Sequence, residues 1–268
     1  MKFTVFGGSG FVGRNLVRYL NEQGHEVFVP IKSTENDLRA IDLGHVIYAI
    51  GLTGDFRTRP FDTVDAHVTL MSDLLKQSTY ESWLYLSSTR VYGGLSESVR
   101  ADEQVALPVF PDADGLYNIS KLLGESICFA QSSPKVRAVR LSNVYGVGQS
   151  VHTFLGSIIN ELKQYKDVSI RETADSAKDY VSIHDVCELL EKIALTGQQR
   201  LYNVAGGMSV MHGSLVERLR DLTSSNISFE PNGTRRTFPH IDISRITQEF
   251  NYHPEHVFDG LHGLLQSQ

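Results

Sequence analysis

The hydrophobic pattern of the first thirty residues predicts a strand, a tight turn, a helix and a second strand. An apolar strand at Lys2–Phe6 leads into a glycine-rich turn, and Leu16, Val17 and Leu20 then recur at the spacing of one helix face. Residues 26–30 again read as a strand. This strand, helix, strand order is the opening unit of a parallel α/β sheet.

The same reading continues along the chain. The uninterrupted apolar runs at residues 46–50 and from Trp83 to Leu86 are typical of strands buried on both faces of a parallel sheet. We expect Asp185 to cap the helix that follows it. Apolar residues at helical spacing predict helices at residues 63–77, 117–129, 154–165, 186–195, 217–223 and 246–250, with a short helix at 37–43.

The glycine-rich turn between the first strand and the first helix carries the first functional signal. Gly7, Gly10 and Gly13 are spaced to allow a tight turn, close approach of the backbone to a diphosphate, and close packing of helix on strand. The helix that follows directs free N–H groups at the anion. The turn therefore predicts dinucleotide binding by Gly7, Ser9, Gly10, Phe11, Val12 and Gly13.

The end of the second predicted strand bears on which dinucleotide binds. An acidic residue there contacts the adenosine ribose, whereas a basic residue accommodates a 2′-phosphate. This chain has Lys32 and Ser33 and no carboxylate before Glu35, which favours NADP(H) over NAD(H). Gly51, just after the third predicted strand, is a further candidate for cofactor contact.

Composition and charge exclude several functions. The net charge of −6 and the lack of a Lys/Arg-rich run argue against nucleic acid as a partner. Cys128 and Cys187 lie in apolar helical sequence and are expected to be buried, reduced thiols. No signal peptide or membrane-spanning run is evident, and the residues around His253 lack metal-ligand spacing, so we expect a cytoplasmic protein without a metal.

Three residues form a candidate catalytic set. Ser88 lies where an apolar strand runs out into hydroxyl residues, and function collects at such strand ends in open parallel sheets. Tyr117 and Lys121 are four residues apart and therefore share one helix face. An ammonium group near a phenol lowers its pKa toward the working pH of a general acid, and Ser88 can hydrogen-bond the same substrate oxygen.

Taken together, these motifs resemble the extended short-chain dehydrogenase/reductase family of nucleotide-sugar epimerases, dehydratases and ketoreductases. The resemblance runs nearly end to end, and the motifs that carry it are the Gly7 to Gly13 turn and residues 87–93, 117–121, 140–146, 178–186, 201–205 and 242–254. It implies a Rossmann-type doubly wound sheet with a smaller, discontinuous α/β substrate lobe. Residues 1–150, with 179–204 returning to them, would form the dinucleotide-binding domain, and residues 151–178 and 205–268 the substrate lobe.

The resemblance also assigns roles. It makes Tyr117 the acid/base, Lys121 the residue that tunes it and holds the nicotinamide ribose, and Ser88 the residue that orients the carbonyl. The substrate contacts that it implies are Thr89, Arg90, Asn143, Lys178, Arg235 and Arg236. Lysine at 178 replaces a more usual arginine and offers phosphate a point charge rather than a planar fork.

The motifs identify the family more specifically than they identify the reaction. Dehydratases of this family place an acid pair where this chain has Thr89 and Arg90, so a 4,6-dehydratase is not expected. The expectation is an NADP(H)-dependent reductase of a nucleotide-activated keto sugar, acting as a cytoplasmic homodimer. A nucleotide-sugar 4-epimerase and a non-catalytic NADP-binding sensor or scaffold remain as alternatives.

Overall fold

The computed structural model describes residues 1–31, 38, 41–165 and 167–266. Its β-strands are β1 (Lys2–Phe6), β2 (Glu26–Phe28), β3 (His45–Tyr48), β4 (Ser82–Ser88), β5 (Arg100–Ala101), β6 (Val136–Leu141), β7 (Asn143–Tyr145), β8 (Asp167–Glu172), β9 (Ala177–Ser182), β10 (Leu201–Val204), β11 (Ser209–Met211), β12 (Asn226–Thr234) and β13 (His240–Ile241).

The helices alternate with the strands of the larger sheet and cluster toward the end of the chain. They are α1 (Phe11–Glu22), α2 (Pro60–Val64), α3 (Leu70–Gln77), α4 (Leu116–Phe129), α5 (Phe154–Gln164), α6 (Ile183–Thr196), α7 (His212–Thr223), α8 (Ser244–Phe250) and α9 (Val257–Gln266). A π-helical turn at Asp65–Thr69 joins α2 to α3, and a 3₁₀ turn at Thr89–Tyr92 follows β4.

A six-stranded parallel sheet in the order β2-β1-β3-β4-β6-β10 organises the molecule. Val5 of β1 pairs with Ile47 of β3 on one side, while Phe3 pairs with Val27 of β2 on the other. The strand order therefore reverses at β1, and a crevice opens beside its carboxyl end. This arrangement confirms the predicted doubly wound α/β fold.

Helices cover both faces of this sheet, which explains why its strands are apolar without interruption. On one face, α1 and α6 pack against alternate strand residues: Phe3, Val5, Ile47, Leu84, Leu86 and Val139. On the other face, α3 and α4 pack against the strand residues that alternate with these: Val46, Tyr48, Trp83, Tyr85 and Ala138. Cys128 of α4 and Cys187 of α6 are both free and buried, as predicted.

A second hydrophobic core lies outside the large sheet. It is formed by α5, α7 and α9 with the parallel pair β8 and β12, around residues such as Ile158, Leu215 and Leu261. A three-stranded sheet in the order β11-β9-β7 also lies apart from the six-stranded one. The chain returns to the large sheet at β10, while the proposed boundaries of the two domains stay a prediction.

Several predicted elements differ from the structure at their ends. The helix after Ser182 begins at Ile183, and Ser182 caps it by accepting a hydrogen bond from the Asp185 N–H at 3.0 Å. The prediction that Asp185 is the cap is therefore wrong. Its carboxylate lies in the first turn and accepts hydrogen bonds from the Tyr252 hydroxyl and the Glu255 N–H, contacts that only the tertiary fold creates.

Other helices start earlier than the apolar pattern indicates. The first begins at Phe11, and α7 begins at His212, five residues before the predicted start. The predicted helix at 63–77 starts at Pro60 and passes through the π-helical turn. The short helix predicted at 37–43 falls largely outside the described residues. No helix in the part of the chain that the structure describes is long and apolar enough to cross a membrane.

Candidate active site

The glycine turn forms a cradle against the end of β1 that side chains would fill. Gly7 has a positive φ of 81°, and a Cβ on it would lie 2.8 Å from the Ala49 carbonyl carbon. A Cβ on Gly13 would lie 2.1 Å from the Gly7 carbonyl oxygen, so α1 packs too closely on the turn for any other residue. Gly10 begins the helix, and no side chain of the described residues caps it. The turn thus fits a dinucleotide diphosphate.

The candidate catalytic residues lie at the carboxyl edge of the same sheet. Ser88 ends β4, and Tyr117 and Lys121 project from the first turns of α4. Tyr117 is 4% exposed and Lys121 is 5% exposed. The structure thus brings the three predicted residues together, and their catalytic roles remain a prediction.

The Tyr117 phenol lies among hydroxyl groups. Burial raises its pKa above the usual value, and hydrogen bonding with the hydroxyls of Ser88 and Thr53 and the charge of Arg90 partly offset this effect. The phenol is therefore protonated near neutral pH, as a general acid must be before it gives up its proton. Ser88 is held in place because its oxygen accepts a hydrogen bond of 3.2 Å from the Arg90 N–H.

Lys121 points its ammonium group back toward β4. Its Nζ donates a hydrogen bond of 2.9 Å to the Leu86 carbonyl oxygen and lies 5.1 Å from the centroid of the Tyr85 ring. Burial lowers the pKa of Lys121 to about 7, although the charge of Glu125 acts in the opposite direction. A Cβ on Gly51 would lie 3.2 Å from this Nζ, so the turn after β3 approaches Lys121 closely.

His67 lies behind Tyr117. The ring is fully buried, and its centroid lies 5.3 Å from that of Tyr117 in an edge-to-face arrangement. Its Nε2 accepts a hydrogen bond from the Leu52 N–H at 3.2 Å, and its Nδ1 lies 2.8 Å from the Ser120 hydroxyl. Burial, together with the charge of Lys121, lowers the pKa of His67 to about 3, so the ring is neutral.

Arg90 is partly exposed, whereas Thr89 beside it is buried. The guanidinium carbon of Arg90 lies 5.1 Å from the Tyr117 ring centroid and 4.8 Å from that of Phe56. Phe56 is itself fully buried, with its ring centroid 5.5 Å from that of Tyr117. The two rings fix the guanidinium group beside the phenol.

Each of the other predicted substrate residues already has a partner within the protein. Lys178 donates to both oxygens of Glu172 at 3.0 and 2.8 Å, and the Nε of Arg236 lies 3.6 Å from the same carboxylate. Arg235 donates to both Glu97 and Asp175, while Asn143 donates to the Asp179 carbonyl oxygen at 2.8 Å. A phosphate that binds here would have to displace Glu172.

Some residues of the site escaped sequence analysis. Thr53 and Phe56 lie in the loop after β3, where sequence separation gives no sign that they meet Tyr117. Glu172 and His212 belong to different elements, and His212 stacks on Phe154 with ring centroids 3.9 Å apart. The one sequence signal that pointed to Thr53 was its place in the turn that follows β3, at the carboxyl edge of the sheet. Lys32 and Ser33, predicted to select NADP, lie outside the described residues.

The fold and this constellation define a class: a Rossmann-type enzyme with a serine, tyrosine and lysine beside a dinucleotide cradle. The model of the NAD dependent epimerase/dehydratase family matches residues 3–205, and the chain therefore belongs to that family. This match confirms the resemblance noted in the sequence and the prediction of an NAD(P)-dependent enzyme of the extended short-chain dehydrogenase/reductase type.

Individual relatives are distant. GDP-6-deoxy-D-talose 4-dehydrogenase from Aggregatibacter actinomycetemcomitans is 21% identical over 250 residues, covering 87% of this chain and 83% of that protein. The structure of RMD from Pseudomonas aeruginosa complexed with NADPH is similar with a TM-score of 0.82 and 22% identity, covering 100% of this chain and 99% of that one. UDP-glucuronic acid 4-epimerase from Bacillus cereus, in complex with UDP-glucuronic acid and NAD, has a TM-score of 0.83 and 18% identity over 100% and 98% of the two chains.

Proposed function

We propose that this protein is an NADP(H)-dependent reductase of a nucleotide-activated keto sugar, with a 4-keto-6-deoxy sugar as the first substrate to test. The observation that carries the proposal is the buried, protonated Tyr117 phenol beside Ser88 and Lys121 at the carboxyl edge of the sheet. A reductase needs a proton donor at this point. The curated relative named above, a 4-dehydrogenase of a nucleotide-linked deoxy sugar, supports the choice of substrate class.

Each residue contributes a defined part of the reaction. The hydride for the carbonyl carbon comes from the reduced nicotinamide, which is the chemistry that the cofactor supplies. Ser88 hydrogen-bonds the carbonyl oxygen and orients it. Tyr117 donates its phenolic proton to that oxygen as the new carbon–hydrogen bond forms, which leaves an alcohol and a phenolate. Lys121 and the glycine turn hold the cofactor in this proposal.

The cofactor preference is testable on its own. Lys32 and Ser33 support NADPH because a cation accommodates the 2′-phosphate. Titrations of the purified protein with NADPH and NADH should show tighter binding of NADPH. The Lys32→Ala variant should lose that preference with little change in its affinity for NADH, and equal affinities in the wild type would contradict the assignment.

The role of Tyr117 can be separated from cofactor binding. We expect Tyr117→Phe to lower turnover by about 100- to 10,000-fold, the usual contribution of a positioned general acid. Its affinity for NADPH should remain within about twofold of the wild type. Tyr165→Phe, at an exposed tyrosine after α5, is the matched control. Unchanged turnover in Tyr117→Phe would refute the acid role.

The reaction itself needs a substrate panel. Purified protein is incubated with NADPH and nucleotide-linked 4-keto sugars, and NADPH consumption is followed by absorbance. A reductase consumes NADPH in proportion to the product formed. The dinucleotide could still bind although no sugar of the panel is converted and no NADPH is consumed. In that case the protein is better described as a non-catalytic sensor.

A 4-epimerase is the second candidate, because the solved UDP-glucuronic acid 4-epimerase shares this fold at a TM-score of 0.83. Ser88, Tyr117 and Lys121 would serve that reaction as well, with Tyr117 first accepting and then returning a proton. In that case the cofactor ends in its starting redox state. Interconversion of ordinary nucleotide hexoses without net NADPH consumption would favour the epimerase over the reductase.

A further inference from the structure

Arg90 stands apart from the other cations around the cleft. Its guanidinium group packs beside the rings of Tyr117 and Phe56 at 5.1 and 4.8 Å. Among the residues that the structure describes, no carboxylate lies within 4.0 Å of it, and no hydrogen bond fixes it. By contrast, Arg57 is paired with Asp114, and Arg236 and Lys178 approach Glu172. The charge of Arg90 is therefore not neutralised by a close partner.

The Lys121 ammonium group already has a hydrogen-bond partner of its own. Its Nζ is directed at the Leu86 carbonyl oxygen, and burial brings its pKa to about 7, so a substantial fraction is neutral at the pH of a cell. Burial also lowers the pKa of Arg90, but an arginine starts from so high a value that it remains protonated under all such conditions. The charge of Arg90 lowers the pKa of Tyr117, an effect that partly offsets the larger effect of burial.

The remaining titratable groups near Tyr117 do not compete for this role. His67, from the π-helical turn, is held neutral by burial. Tyr85 of β4 is buried, which raises its pKa and keeps it uncharged. Arg57, Asp114 and Arg236 lie beyond Arg90 and interact with it electrostatically. Ser88 and Thr53 contribute hydrogen bonds but no charge.

We propose that Arg90 is the positioning residue whose fixed positive charge stabilises the Tyr117 phenolate formed when the phenol gives its proton to the substrate. The inference rests on the proposed function, in which Tyr117 is the acid. The charge of Arg90 would explain how a buried phenol becomes a competent acid. The proton passes from the Tyr117 oxygen to the substrate oxygen, and the charge left on the phenolate is balanced by the adjacent guanidinium.

The test measures the ionisation of residue 117 directly, without substrate. Tyr117 is replaced in the full-length protein by 3,5-difluorotyrosine, which titrates near neutral pH, and the midpoint is followed by fluorine NMR. Into this protein we introduce Arg90→Met, Arg90→Gln and Arg90→Lys. We expect the first two to raise the midpoint by about one pH unit, a tenfold change in the ionisation equilibrium. Arg90→Lys should restore at least half of the shift.

Arg57→Met is the matched control, because Arg57 packs against the same Phe56 ring, with 4.5 Å between its guanidinium carbon and the ring centroid, but is already paired with Asp114. Its midpoint should stay near that of the parent protein. Near-ultraviolet circular dichroism verifies that each variant is folded. An unchanged midpoint in folded Arg90→Met and Arg90→Gln would overturn the inference, as would failure of Arg90→Lys to restore it.

The result is independent of the proposed reaction. If the midpoint depends on the charge at position 90 but no panel substrate turns over, the electrostatic inference holds and the proposed function fails. If substrates turn over and the midpoint is insensitive to Arg90, the reverse is true. A larger rise in Lys121→Met than in Arg90→Met would also refute the assignment. For an active panel member, the alkaline limb of the kcat profile should move with the midpoint.

Discussion

The glycines of the first turn should respond differently to the same substitution. In Gly13→Ala the new Cβ would lie 2.1 Å from the Gly7 carbonyl oxygen and 2.8 Å from its carbon. Because such contacts are not tolerated below about 3.0 Å, α1 must move away from the turn by about 0.9 Å. In Gly10→Ala the nearest atom is 3.4 Å away, an ordinary contact. Gly13 thus allows close packing of α1 on the turn, whereas Gly10 leaves room for a ligand.

The expected magnitudes follow from this geometry. Overpacking against a backbone atom costs about 2 to 3 kcal/mol, so the melting temperature of Gly13→Ala should fall by about 5 to 10 °C. Gly10→Ala should lose less than about 1 kcal/mol. Both variants should bind NADPH at least about tenfold more weakly, which corresponds to about 1.4 kcal/mol of binding free energy.

The assays are thermal unfolding without ligand and calorimetric titration with NADPH. Gly263→Ala in α9 is the control, since a Cβ there meets nothing within 4 Å and alanine favours a helix. It should be as stable as the wild type or slightly more so, with unchanged NADPH affinity. Wild-type stability and affinity in Gly13→Ala would refute the reasoning, as would an equal loss of stability in Gly10→Ala.

Three further predictions test other parts of the molecule. Glu125→Gln breaks the buried pair with Arg140 (2.7 Å) and should lower the free energy of unfolding by about 3 to 5 kcal/mol in urea titrations; a loss below about 1 kcal/mol would contradict this. Burial and the charge of Lys178 lower the pKa of His212 from 6.5 to about 3. Unfolded chains therefore bind more protons between those values, and the protein loses stability as the pH is lowered. His212→Phe should remove about 2 kcal/mol of the loss between pH 7 and pH 5, and an unaltered pH dependence would speak against it. Glu172→Gln frees Lys178 and should tighten binding of a nucleoside diphosphate several-fold in calorimetry, whereas weaker binding would show that Glu172 supports the site.

The sequence was most informative about structural features that depend on a single short segment of the chain. The glycine turn needs only a strand, three spaced glycines and a helix. Tyr117 and Lys121 share one helix face because the helix repeat brings residues four apart onto the same side. Ser88 was visible because the apolar strand ends there. The two-faced burial of β3 and β4 was evident from their apolar runs.

Contacts between distant segments could not be predicted in this way. Whether Asp185 or Ser182 caps α6 depends on Tyr252 and on the loop after it, which compete for the Asp185 carboxylate. His67 lies within the predicted helix at 63–77, and its place against Tyr117 follows from how the π-helical turn packs on α4. Sequence spacing gives no measure of such distances.

Short-range periodicity and spacing were enough to predict the fold class, the glycine cradle and the three candidate catalytic residues. Tertiary structure decided which charges remain unpaired. Lys178 and Arg236 meet Glu172, whereas Arg90 is left beside the phenol without a carboxylate within 4.0 Å in the described part of the chain. Which charged side chains pair depends on their distances and burial in the folded chain. These distances are set only when the sheet and the second core have formed.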